Sequence, residues 1–419
     1  MRARSMILTS LLLATASCTS RADVGERERP ETSRLEDVLV FGTPDGSVIV
    51  GSSSGVVLSS GRDQVASPDG SRLYGTTRSG GSTILEARDS STSDVLSTTK
   101  LEGRLDVRAA SVTGRAVALM RPLPEGVDPT FALPRARTTI VVTDPTGERK
   151  TRRYELMGNF EPEAFSVDDT RLFLIQYLPA EAPSSYRVTF LRLEDGKVRQ
   201  VFGRFKTPPA RMPGVRLEQV YDPTSEQLYT LYTNRSTSSY DDQWQNASYG
   251  EKEVSFVHVL NLRRGWAYCA GLPRQLWGQP ATAQAMAPSP DGRLLYIVDS
   301  KREMVAVMDT RSLEITETRR IDLPPLDRGR TSAILSADGN TLYVGAGRAS
   351  ITRIDTDSLE VLEPWPVSGN VTGLALSEDG ARLYAALGED VAVVDARTGE
   401  ALSTFSFGRT ESILHVATL

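Results

Sequence analysis

One short pattern recurs along this 419-residue chain, and its spacing constrains the fold more than any other feature. "SPDGSRLY" begins at Ser67, "SPDGRLLY" at Ser289, "SADGNTLY" at Ser336 and "SEDGARLY" at Ser377. Weaker copies are "SVTGRAVA" at Ser111, "SVDDTRLF" at Ser166 and "DPTSEQLY" at Asp222. The seven starts lie 44, 55, 56, 67, 47 and 41 residues apart. Such a period marks one small unit stacked many times, and it overrides the two or three domains that length alone suggests.

Each unit carries four short stretches of alternating apolar and polar residues. Around Ser289 they are "TAQAMAPS", "RLLYIVDS", "MVAVMDT" and "EITETRRI". Period-2 alternation bounded by Gly, Asp and Ser is the signature of strands, and no helical period competes with it. Four strands in 40 residues or more is the arithmetic of a β-propeller blade. The stretch before each turn is rich in small residues, as in "VRAAS" and "LALS", which suits strands crowded around an axis. The next stretch opens on a bulky pair such as Leu73-Tyr74, Leu172-Phe173 or Leu383-Tyr384. Neighbours in a strand point to opposite faces, so each pair is expected to wedge against the blades on both sides. Asp309, Asp355 and Asp395 end the third strand of their units. Their recurrence marks them as acceptors for turn amides, not as catalytic acids.

The run "SPDGRLLYIVDSKREMVAVMDT" resembles the YVTN-type β-propeller repeat, related in architecture to WD40 domains. The resemblance covers most of residues 62–410 and implies the fold, with no family-wide catalytic residues to place. Residues 38–61 add three further strands and 411–419 one more. Together they make a composite blade that closes the ring. The expected fold is therefore an all-β propeller of eight four-stranded blades, with seven as the alternative, occupying residues 36–419 as one domain.

The N-terminus reads differently. "MRARSMILTSLLLATASC" has two arginines, a short apolar run and small residues before Cys18. The pattern is that of a secretory signal, too short to span a bilayer comfortably. Small residues before a cysteine resemble a bacterial lipoprotein processing site; an ordinary signal peptide is the alternative. The resemblance implies that residues 1–17 are removed, that Cys18 carries lipid and that the protein is anchored at the cell envelope without spanning the membrane. Residues 18–35 are polar and form a tether, which reaches at most roughly 55–60 Å. Cys269 is the only other cysteine, so a lipidated Cys18 leaves no disulfide partner. Cys269 itself, in "WAYCAGL", reads as a small buried hydrophobe.

Function is expected where the chain exceeds the repeat. The long insertions are 121–138, 178–186 and 233–253 inside three consecutive blades, and 204–216 and 322–330 between blades. Antiparallel strands put all five on one face, the first four side by side. Long loops on a rigid scaffold are where binding concentrates. In the longest, Tyr240, Trp244 and Tyr249 accompany Asp241 and Asp242, the composition of a binding hot spot. Phe131 and Arg211 join them from neighbouring loops. The expected partner is a protein or other envelope ligand, bound by a monomer. A net charge of −5 without a basic stripe excludes nucleic acid as the main partner.

Chemical motifs are weak. "GSSSG" at 51–55 matches a nucleophile elbow but joins two β-stretches, where that motif needs a strand-to-helix turn. His258 and His415 alternate with apolar residues and read as strand residues. No cysteine or histidine pair has metal-ligand spacing, and no glycine loop suits a phosphate. No catalytic residue, metal ligand or cofactor is assigned. The alternative to a binding module is a propeller enzyme resembling lactonases or quinoprotein dehydrogenases, whose sites gather around the central channel. Glu163, Glu218 and Gln284, just before inner strands, are the residues that could face the channel mouth.

Overall fold

The turn that defines the repeat is built the same way in most blades. Ser67 Oγ donates to Asp69 Oδ1 at 2.5 Å and accepts the Arg72 N–H at 3.0 Å. The equivalent bonds recur at Ser166, Ser289, Ser336 and Ser377, with serine-to-aspartate distances of 2.5–2.7 Å. The fourth residue of the turn takes a left-handed conformation, φ +70° at Gly380. A Cβ there would also stand 2.4 Å from the Ala337 Cβ of the preceding blade, so glycine is required twice over. In blade 3 Asp169 takes the same place at φ +55°.

A computed structural model describes residues 37–418, leaving out 44–45, 53–54, 56, 62–63, 125–131, 205–210, 213, 234–254, 279–281, 324–325, 327–328 and 409–411. Its strands form eight antiparallel sheets of four. Blades 1 to 7 span 65–102, 106–157, 159–200, 215–271, 284–320, 331–366 and 373–406. The eighth is composite: its inner strand is Ser412–Thr418, and Asp37–Thr43, Gly46–Gly51 and Val57–Gly61 follow outward. This is an all-β, eight-bladed β-propeller, as the repeat arithmetic predicts. Blade 4 gains a fifth strand, Phe202–Gly203, which leaves blade 3 and runs parallel to the outer strand Trp266–Gly271. The only helix among the described residues is one 3-10 turn, Arg274–Leu276.

The paired bulky residues wedge the blades as expected. Leu73 packs with Val38, Val40 and Ile49 of the composite blade, and Tyr74 with Val107 and Leu119 of blade 2. Leu172 faces blade 2 while Phe173 faces blade 4. Leu295 and Tyr296, Leu342 and Tyr343, and Leu383 and Tyr384 repeat the alternation around the ring. The hydrophobic core is thus a set of layers between blades, each filled from both sides. Closure adds a polar clasp. Asp37, at 0% exposure, bonds Arg382 at 2.9 and 3.1 Å and accepts the Tyr384 hydroxyl proton, all from blade 7.

The recurring aspartates are structural. Asp309 Oδ1 accepts the amides of Arg311 at 3.0 Å and Ser312 at 2.6 Å; Asp395 does the same for Arg397 and Thr398. Asp355 accepts the Ser358 amide at 2.8 Å. Hydrogen bonds from these turn amides hold Asp309, Asp355 and Asp395 below the usual carboxylate range. "GSSSG" lies between the strands Gly46–Gly51 and Val57–Gly61 and leads to no helix. His415 falls in the inner strand of the composite blade, opposite Val40.

Candidate functional site

Strand direction places the links between second and third strands, and those between blades, on the face opposite the Ser-x-Asp-Gly turns. The insertions at 121–136, 179–184 and 234–254 join second and third strands of blades 2, 3 and 4; those at 204–214 and 321–330 join blades. The described parts of the first two touch, and the linker 204–214 is tied to the third strand of blade 3. Arg135 N–H donates to Ala180 O at 3.0 Å. Asn159 Nδ2 donates to Leu133 O and Ala180 O at 2.6 and 3.1 Å. Met212 and Tyr186 exchange backbone bonds of 2.8 and 3.0 Å. Cys18, Phe131, Tyr240, Asp241, Asp242, Trp244 and Tyr249 lie outside the described residues. Arg211 is exposed beside Met212, on this face.

Below these loops the inner strands of blades 2 and 3 each carry a β-bulge. The unpaired residues are Arg108 and Glu163. A bulge re-aims a side chain that regular pairing would place elsewhere. Blade 4 has a bulge between Arg216 and Glu218. The outcome is a polar network over three inner strands, made of two hydrogen-bonded clusters coupled through charge. Glu163 Oε2 bonds Arg216 Nη1 at 3.0 Å, and its Oε1 accepts Gln219 Nε2 at 2.6 Å. Glu161 bonds Arg135 Nη2 at 3.0 Å and lies 3.5 Å from Arg108 Nε. Arg108 Nη2 also reaches Arg121 O at 3.2 Å, tying the inner strand to the first long loop.

Burial sets the electrostatics. The Glu163 side chain is 3% exposed, whereas Arg216 is 48% exposed. Burial pushes the Glu163 carboxyl up, against the pull of Arg216 and Gln219. The Glu163 charge in turn holds Arg216 firmly protonated. Glu218 accepts the Met286 amide of blade 5 at 2.7 Å, and burial raises it to about 7. Outward of the network stands an aromatic layer between blades 3 and 4. Tyr177 meets Tyr186 edge-on at 6.2 Å, Tyr186 meets Tyr232 at 5.2 Å, and Tyr232 stacks on Phe256 at 5.2 Å.

The sequence reading located part of this site. Glu163 and Glu218 are where a channel mouth was expected, although within the inner strands and not ahead of them. Gln284 is a correction: it is fully buried, its Nε2 held by Leu276 O and Asp299 Oδ2 at 2.9 Å each, so it supports blade 5 instead of facing the mouth. His258 is a buried strand residue as expected, and burial lowers it to about 4. Cys269 is half-buried on the outer strand of blade 4, and desolvation raises its thiol to about 12. Arg108, Arg135, Glu161, Arg216 and Gln219 were missed. One signal was available: three residues before the turn, blades 5 to 7 carry Met286, Ala333 and Leu374, whereas blades 2 and 3 carry Arg108 and Glu163. Among the described residues no cluster of three or more His, Cys, Asp or Glu is suited to a metal ion.

Fold and site together define an eight-bladed propeller with an arginine–glutamate network at one end of its channel. No protein-family model and no curated protein sequence matches the chain. Solved structures do. One is the dihydro-heme d1 dehydrogenase NirN in complex with DHE, with TM-score 0.54 and 14% identity over 91% of this chain and 74% of that one. Another is apo AztD from Citrobacter koseri, with TM-score 0.55 and 12% identity over 92% of this chain and 98% of that one. At such identities the likeness is one of fold. No helix among the described residues is long and apolar enough to cross a membrane.

Proposed function

We propose that this chain is a binding propeller of YVTN type, held at the bacterial cell envelope by lipid on Cys18, that takes a protein or other envelope ligand on its long-loop face over blades 2 to 4. One observation carries the reading. The bulged inner strands of blades 2 and 3 turn Arg108 and Glu163 into the same network as Arg135, Glu161, Arg216 and Gln219, directly beneath the long loops. Bulges beside irregular loops are how rigid sheets present recognition groups. Tyr240, Asp241, Asp242, Trp244, Tyr249, Phe131 and Arg211 complete the surface. Residues 18–35 let the body stand clear of the membrane. The anchor is checked by intact-mass measurement of the mature protein: a diacylglyceryl-type mass increment at Cys18 is expected, and an unmodified Cys18 removes the anchoring claim. The binding face is checked by deleting 236–250, which is expected to leave the fold intact and to abolish retention of envelope partners.

A second reading, a propeller enzyme, is favoured by Glu218 alone. A carboxyl raised to about 7 suits a general acid or base at neutral pH, and the neighbour NirN is a dehydrogenase. Turnover of a lactone or redox substrate by the purified protein, lost in Glu218→Gln while partner retention persists, is the outcome this reading requires.

A further inference from the structure

Between blades 3 and 4, two sulfurs meet outside the polar network, with a buried imidazole on the ladder position opposite one of them. His258 and Cys269 lie on the third and fourth strands of blade 4, directly opposite in the ladder. Opposed residues share a face of the sheet, with Cβ atoms about 4.5–5.5 Å apart. The same face carries Phe256 and Leu260, which pack toward blade 3. Met212 comes from the linker between the two blades and is fixed by its paired backbone bonds to Tyr186. Its Sδ stands 3.4 Å from Cys269 Sγ.

His258 supplies an independent pointer. It is 3% exposed, its ring stands edge-on to Tyr232 at 6.3 Å, and no hydrogen bond to either ring nitrogen is found among the described residues. The hydroxyl of Thr230, its other ladder neighbour, lies 3.2 Å from Gln219 Nε2. Neutral imidazole is the commonest metal ligand among side chains. Cys269 is only half-buried, which leaves an ion a way in.

We infer that Met212, His258 and Cys269 form a binding site for a soft monovalent cation, Cu(I). Thiolate and thioether select Cu(I) over the hard cations that carboxylates hold, and imidazole completes the set. Sulfurs 3.4 Å apart are close enough for one ion to bond both at about 2.3 Å. On binding, the Cys269 S–H bond breaks, the S–Cu bond forms and the proton leaves to solvent, so affinity rises with pH. No electron is transferred.

The test uses the full chain carrying Cys18→Ser, which leaves Cys269 as its only thiol. Calorimetric titration with Ag(I), a redox-stable analogue, is expected to show one ion per chain. Met212→Leu conserves core volume and keeps the thiol, yet is expected to weaken Ag(I) by at least about tenfold, since even groups outside the metal's own ligands are worth about 10–100-fold. X-ray absorption of the Cu(I)-loaded protein should show two sulfur and one nitrogen neighbours. Unchanged Ag(I) affinity in Met212→Leu overturns the site. So does a copper shell with a single sulfur, measured on the chain with Met212 and His258 intact and therefore decisive even if the variant does not fold.

Discussion

Glu218 shows how a single inner-strand residue couples the site to stability. Its ordinary value of 4.5 is raised to about 7 because burial disfavours the charged form. Between those values the folded protein keeps a proton that the unfolded chain has released. Stability therefore falls as pH rises through that window, by up to about 1.4 kcal/mol per pH unit, and levels off above it. Glu218→Gln keeps an acceptor for the Met286 amide and removes the titration. Urea denaturation at pH 5 and pH 8 is expected to show a smaller difference for the variant than for the natural chain. The Glu163–Arg216 pair gives a second expectation. Arg216→Ala leaves a buried carboxyl without its cation, at a cost of about 1–3 kcal/mol, and Glu163 responds by taking up a proton more readily. Equilibrium denaturation of Arg216→Ala, alone and combined with Glu163→Gln, measures this: the double variant should recover part of the loss.

At the scale of elements, the decisive feature is the seam between blades. Asp37 opens the first described strand, yet its side chain is clasped by Arg382 and Tyr384 of blade 7. Asp37→Ala is expected to cost about 1–3 kcal/mol, because the Tyr384 hydroxyl loses its buried acceptor, while Arg382 keeps Asp379, at 3.4 Å; a thermal unfolding midpoint unchanged from the natural chain would contradict the clasp. Much at this scale was legible in advance. The Ser-x-Asp-Gly turn, the bulky pair and the terminal aspartate each repeat because each solves the same packing problem in every blade. The three-plus-one composite blade followed from counting strands. The bulges were not legible. Each inserts one residue, and repeats of 41 to 67 residues already vary by more than that. The network they create joins residues from four different segments, and only the paired inner strands bring these together. Gln284 misled for a related reason: it opens the inner strand instead of preceding it, and its side chain turns to Asp299.

The whole molecule presents two unlike faces. Tight turns, closed by their own serines and aspartates, cover one. On the other, the described parts of the long loops of blades 2 and 3 lie beside the arginine–glutamate network. On the binding function proposed above, a rigid ring with this asymmetry confines recognition to one side. Charge reversal compares the faces directly: Arg135→Glu on the loop face against Arg293→Glu in an exposed turn on the opposite face. Quantitative retention of envelope partners by the anchored protein is measured for both, beside the 236–250 deletion. The account predicts that Arg135→Glu and the deletion lose the partners while Arg293→Glu keeps them, with all three variants folded by circular dichroism. Loss with Arg293→Glu and full retention by the other two would contradict it.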